Sequence, residues 1–281
     1  MAVKPQTSIA SPTLHFISGL PRSGSTLLAA ILKQNPRFHG GMSSPLAGMV
    51  SALLAEMSGK NDFSVGMSDA QRMALLRGVF QIYYGGFHGI DVAFDTSRVW
   101  CSRLPLLAEL FPVSKVVACV RDVSWVLDSI ERLVSKQPLS ANKIFQFNPN
   151  GTVYSRAQSL TDVNGMVGFS FHAIKDAWYG PYAPDRLLFL TYKSLTSNPK
   201  AAMQALYKFL GEPWFEHDFE HIEYDASEFD ARVGLPGLHT VKPKVSAPKR
   251  EPVLPPDLFN RYINDSFWLD PKNNIHKVPV I

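Results

Sequence analysis

The run Gly19-Leu-Pro-Arg-Ser-Gly-Ser-Thr-Leu-Leu28 brings together the groups that hold an oxyanion. Successive backbone N–H groups in a loop that opens a helix, together with the positive end of that helix, make a pocket for phosphate-like oxygens. Ser23, Ser25 and Thr26 offer hydroxyl donors, Gly24 lets the backbone approach an anion closely, and Arg22 adds a charged fork. The loop departs from Gly-x-x-x-x-Gly-Lys-Ser/Thr, the pattern that cradles nucleoside triphosphates with magnesium, because no lysine precedes Ser25 or Thr26. An ordinary strand-to-helix turn rich in Ser and Gly is the plain alternative.

A second constellation lies further along. Arg121-Asp122 follows the apolar run Val116–Val120, and Ser129 stands eight residues after the arginine. Arg121 therefore sits at the carboxyl end of a predicted strand, the edge where open parallel sheets bind ligands. Ser129 lies two helical turns beyond Asp122 on nearly the same face. Taken alone, the pair would read equally well as a surface arginine and a helix-face serine.

The elements that must position these groups follow from periodicity. Residues 14–18 form a short apolar strand that runs into the glycine loop, and Leu27, Leu28, Ile31 and Leu32 carry a helix that ends before Pro36. Ser43-Ser44-Pro45 opens a helix through Leu46–Met57, and Ser68 with Gln71 has capping-box spacing for another that ends at Gly85-Gly86. These two helices separate the first strand from the next, Val92–Phe94. Then follow a helix at Cys101–Leu110, the strand Val116–Val120, a helix from Val123 to Val134, a helix over 162–179, and a strand in Arg186–Thr191. Asn198, Pro199 and Gly211 bracket a further helix. Residues 137–160, with Phe145, Phe147 and Tyr154, lack periodicity and suit either an ordered lid or a plain surface loop. The whole predicts one α/β domain over 1–281, a central parallel sheet flanked by helices, with 1–12 flexible and 236–281 a basic, proline-rich wrap.

Composition agrees. The chain has 281 residues, 46% hydrophobic and 19% charged, enough to cover a sizeable core. The net charge of +4 and pI near 9.0 carry a local bias, since Lys242, Lys244, Lys249 and Arg250 gather late in the chain. A phosphate-bearing ligand fits that bias. Nucleic acid is not expected, because there is no zinc spacing, RRM-type signature or long basic helix. Two cysteines imply no disulfide framework, and Cys119 sits in an apolar run. With neither a signal-peptide pattern nor a membrane-length apolar stretch, the cytoplasm is the expected location.

Pro21-Arg-Ser-Gly-Ser-Thr-Leu-Leu28 resembles the phosphosulfate-binding loop of sulfotransferases that use PAPS (3′-phosphoadenosine 5′-phosphosulfate), particularly their bacterial and tyrosylprotein-type branches. Arg121 and Ser129 resemble that family's site for the nucleotide 3′-phosphate. Leu110-Phe111-Pro112 is similar to the lead-in before that strand, and Thr191-Tyr192-Lys193-Ser194-Leu195 to a later Tyr-Glu-Asp-Leu segment. The anchors span about half of the chain, in the family's order. The resemblance implies a P-loop-like fold, PAPS as co-substrate and PAP (adenosine 3′,5′-bisphosphate) as product, with no metal. It places Pro21, Arg22, Ser23, Gly24, Ser25, Thr26, Arg121, Ser129 and Tyr192 at the nucleotide, with Lys242 and Lys244 on a late loop that closes over it.

The resemblance fails at one point. Many relatives carry an acidic residue just after the first helix to take the acceptor's proton, whereas this chain has Met42 and Ser43 there. Asp95, aligned with a region where other members place catalytic residues, is the first substitute base, and His39 the second. Arg98, with Arg22, would offset charge on the leaving group. A helix cap, a surface cation and a structural histidine are the bland readings of Asp95, Arg98 and His39. The acceptor, a small molecule, glycan, lipid or peptide, is not legible. Two rivals stand beside transfer to a hydroxyl or amine: a phosphotransferase that uses ATP on an unusual loop, and a nucleotide-binding protein that no longer catalyses.

Overall fold

The computed structural model describes residues 12–59, 61–137, 143–145, 151–232, 236–247 and 249–281. The expected flexible stretch 1–12 and Phe147 of the expected lid fall, but for residue 12, outside those residues. In chain order the first half contains β1 (Thr13–Gly19), α1 (Ser25–Leu32), β2 (Phe38–Ser43), α2 (Leu46–Glu56), α3 (Asp69–Tyr84), β3 (Val92–Thr96), α4 (Leu104–Leu110), β4 (Val116–Val120) and α5 (Val123–Val134). The second half contains α6 (Val153–Thr161), α7 (Met166–Tyr179), α8 (Ala183–Arg186), β5 (Leu187–Thr191), α9 (Tyr192–Ser197), α10 (Pro199–Leu210), α11 (Ser227–Arg232) and α12 (Pro256–Arg261).

Five parallel strands form one sheet in the order β2-β3-β1-β4-β5. After β1 the chain fills one side of the sheet and then crosses to the other, so β1 lies at the point where the winding reverses, where such sheets open a crevice at their carboxyl ends. β4 shows why the strands read as apolar throughout. Val116, Ala118 and Val120 pack into one core cluster with α2–α7, while Val117 and Cys119 pack into the other with α1 and α10. All five residues are fully buried, each Val contributing roughly 1.5–3 kcal/mol. Burial pushes both cysteine thiols up to about 12.

The expected caps are present. Ser68 and Gln71 form a reciprocal capping box on α3, Asn198 Oδ1 accepts from the Ala201 N–H at the start of α10, and Gly211 ends α10 in the left-handed region. Two differences stand out. β2 is an edge strand that pairs with β3 where no strand was expected. Tyr154, expected in a loop, lies on α6, whose cap Thr152 accepts from the Ser155 N–H, and its hydroxyl donates to Asp257.

The C-terminal segment packs closely. Trp268 and Val278 enter the larger core cluster. Residues 279–281 run beside β5, where the Phe189 N–H donates to the Pro279 carbonyl at 2.9 Å and the Ile281 N–H to the Phe189 carbonyl at 2.8 Å. Among the described residues, no helix is long and apolar enough to cross a membrane.

Candidate functional site

The loop between β1 and α1 is bent into an unusual backbone. Gly19, Arg22 and Gly24 have φ values of 112°, 59° and 98°, all in the region that L side chains seldom adopt. Gly19 has no substitute, because a Cβ there would fall 2.0 Å from the Cys119 carbonyl oxygen on β4. Gly24 opens α1 without a side-chain cap, which leaves the first-turn N–H groups directed into the crevice. Positive φ at Arg22 and Gly24, on either side of Ser23, is the kind of backbone from which anion nests are built.

Ser23 departs from expectation. Its hydroxyl is buried and donates to the carbonyls of Leu20 and Cys119, so it staples the loop to β4 and offers a ligand only its backbone. Ser25 and Thr26 remain open to the crevice.

The arginines converge. Arg22 Nε donates to Ser129 Oγ at 3.1 Å, joining the loop to α5, and Arg121 Nη1 stands 3.4 Å from the Arg22 carbonyl. The Arg121 guanidinium lies 4.3 Å from the ring centroid of Tyr192, the first residue of α9. Arg250 joins them from the C-terminal segment, 3.2 Å from Asp128 Oδ2, within ion-pair distance but outside hydrogen-bond geometry. Its buried Nε and Nη2 have no hydrogen-bond partner among the described residues. Burial lowers the pKa of Arg121 to about 10; Tyr192 opposes this, and the charges of Arg250 and Arg22 add to it. Burial is also the chief cause of the lowered pKa values of Arg22 and Arg98. Cations gathered at such cost are relieved by a multiply charged anion.

These groups line one cavity of about 550 Å³, large enough for a nucleotide-sized ligand. Its wall includes Pro21, Arg22, Gly24, Ser25, Thr26, Arg121, Ser129, Tyr192, Lys242 and Lys244 of the expected nucleotide residues, and Arg98 of the expected catalytic ones. No Asp or Glu stands among the described residues of the wall. Sequence reasoning missed Arg250, Ser18, Thr96 and Ser97. Arg250 belongs to the late basic group, a signal that was visible. The other three are small polar residues at strand ends with no distinguishing pattern.

The two expected bases are not in the wall. Asp95 is fully buried on β3, where Oδ2 accepts from Ser44 Oγ and Tyr84 Oη, each at 2.6 Å, and Oδ1 from Trp100 Nε1 at 2.8 Å. Its direction along the strand turns it away from the crevice and into this network, so it cannot reach an acceptor. His39, on β2, packs against Phe87 with ring centroids 4.2 Å apart, and burial lowers its pKa. The position that is acidic in many relatives is the end of β2, and Ser43 is what reaches the cavity there.

A parallel sheet with a sharply bent glycine loop after its central strand, and arginines arriving from three further segments, defines an α/β protein of P-loop-like architecture. The Sulfotransferase family model matches residues 15–216, well over half of the chain, and the chain belongs to that family. Among curated proteins it is 26% identical over 222 residues to Protein-tyrosine sulfotransferase 2 of Gallus gallus, covering 75% of this chain and 54% of that protein. It is 23% identical over 222 residues to Protein-tyrosine sulfotransferase of Drosophila melanogaster, covering 75% of this chain and 40% of that one. The chain thus spans about half the length of the curated relatives it matches. Among solved structures, the sulfotransferase domain from the curacin biosynthetic pathway has the same fold, with a TM-score of 0.53 at 16% identity, covering 91% of this chain and 97% of that one.

Proposed function

We propose that the chain binds PAPS and transfers its sulfuryl group to a hydroxyl or amine of an acceptor. The observation that carries this reading is the cavity wall itself: Arg22, Arg98, Arg121, Lys242, Lys244 and Arg250 face one space with no carboxylate among its described residues. A nucleotide with a phosphate at each end supplies the missing negative charge. The backbone of the loop at 20–26, with Ser25 and Thr26, would hold the 5′-phosphosulfate. Arg121, Ser129 and Arg250 would hold the 3′-phosphate, with the Tyr192 ring keeping Arg121 in place. The acceptor's lone pair forms the new bond to sulfur as the bridging S–O bond breaks, and the electron pair leaves on the 5′-phosphate of PAP. Arg22 and Arg98 would offset the charge that develops there.

Binding is the direct test. PAP at a concentration well above its Kd should raise the melting temperature without added metal, while ATP with magnesium does little. The reverse ranking would favour the ATP-using alternative. The double variant Arg121→Ala, Ser129→Ala should bind PAP at least roughly 100-fold more weakly, since it loses two charge-assisted hydrogen bonds to the phosphate. The relatives' names make a tyrosine-bearing peptide the first acceptor to try, with glycan, lipid and small-molecule hydroxyls as the other arms.

A further inference from the structure

One side chain of the cavity wall that can accept a proton has no place in the scheme above. His239 lines the cavity from the C-terminal segment. Its Nδ1 pairs with Asp230 Oδ1 at 2.6 Å, and its own backbone N–H donates to Asp230 Oδ2 at 2.9 Å. Asp230 lies on α11 and is 2% exposed, so both of its oxygens are committed to this one histidine. The His239 side chain is 24% exposed, and Nε2 has no hydrogen bond among the described residues. Phe229, also in the wall, packs edge-on against the ring at 5.3 Å. An imidazole fixed through Nδ1 by a buried carboxylate presents Nε2 as a proton acceptor in one orientation.

The alternatives for this task are few. Asp95 and His39 stand outside the wall, no Asp or Glu stands among the described residues within it, and the residues outside the described segments include no Asp, Glu or His. His239 lines the same cavity as Arg22, Ser25 and Thr26 of the loop that would hold the phosphosulfate.

We propose that His239, oriented by Asp230, is the base of the transfer, a role that rests on the PAPS reading given above. The acceptor O–H proton passes to His239 Nε2 as the oxygen attacks sulfur, the bridging S–O bond breaks, and its electron pair departs with PAP. Asp230 touches no reacting atom; it is a positioning residue that holds the ring and stabilises the imidazolium formed.

The test follows conversion of PAPS to PAP by wild type, His239→Gln and Asp230→Asn with water, a tyrosine peptide and 4-nitrophenol as nucleophiles. At mildly alkaline pH 4-nitrophenol is already ionised, whereas a tyrosine with pKa about 10 is not. His239→Gln keeps the backbone bond to Asp230, and PAP-induced melting shifts report its fold and nucleotide grip. The expected result is a loss of about 100-fold or more with water and the peptide, little loss with 4-nitrophenolate, and an unchanged PAP shift. Asp230→Asn should show a smaller loss with the same split. Equal slowing with every nucleophile, no slowing, or a lost PAP shift in His239→Gln would overturn the role, and so would a wild type that binds PAP but leaves PAPS intact with all three. A wild type that PAP does not stabilise counts against the nucleotide reading itself.

Discussion

Asp95 accepts hydrogen bonds from Ser44, Tyr84 and Trp100 and is closed off from solvent, yet burial raises its pKa above the ordinary carboxylate value against the effect of those three donors. A carboxyl group raised by folding contributes most below its unfolded pKa, and that contribution is lost as pH rises through the folded value. Between about pH 4 and pH 7 the wild type should therefore lose stability relative to Asp95→Asn. The variant should be less stable at every pH in that range by roughly 1–3 kcal/mol, because its amide turns a donor toward one of three donors. Denaturant midpoints for both proteins across that range measure each effect, and parallel curves would show that Asp95 does not titrate there. Position after a strand marked Asp95 in the sequence. Its burial was invisible, because it depends on Tyr84 and Trp100 arriving from α3 and the turn beyond β3. The pairing of Asp230 with His239 was hidden for the same reason: the two stand nine positions apart in the sequence, and no period links them.

Elements were legible where a single physical signal fixed them. The unbroken apolar run of β4, the capping box of α3 and the Asn198-Pro199…Gly211 bracket of α10 each state their own boundaries. β2 lacked such a signal, since His39-Gly40-Gly41 shows neither alternation nor branched residues. It forms because Gly40 lets the strand approach α1, where a Cβ would stand 2.6 Å from the Ala29 carbonyl oxygen. The loop after β1 makes a sharper demand. Gly19→Ala would place a methyl group inside the van der Waals shell of the Cys119 carbonyl at a positive φ, and should cost more than ~3 kcal/mol. Thermal unfolding measures this: a variant that melts within a degree or two of wild type would mean the loop can relax without Gly19.

The charge of the molecule is modest at +4, but six of its cations face one cavity. That focusing should steer an anionic nucleotide, so the association rate of PAP should fall roughly tenfold from low to high salt, with a smaller change in dissociation. Stopped-flow binding at several ionic strengths reads both rates, and a salt-independent association would place the cations out of reach of the approaching ligand. The parallel sheet and the glycine loop at its carboxyl edge were readable from the order of motifs, whereas the placement of Arg250, Asp230 and His239 depends on a C-terminal segment with no sequence period. That segment also ties β5 to residues 279–281. At ~5–20 residues per second of synthesis, the outer flank of β5 emerges several seconds before its covering partner. During that interval a ribosome-bound chain presents a ready-made ladder of unpaired amides, and ribosome-associated chaperones or slowed translation ahead of the last segment would govern the yield of folded protein.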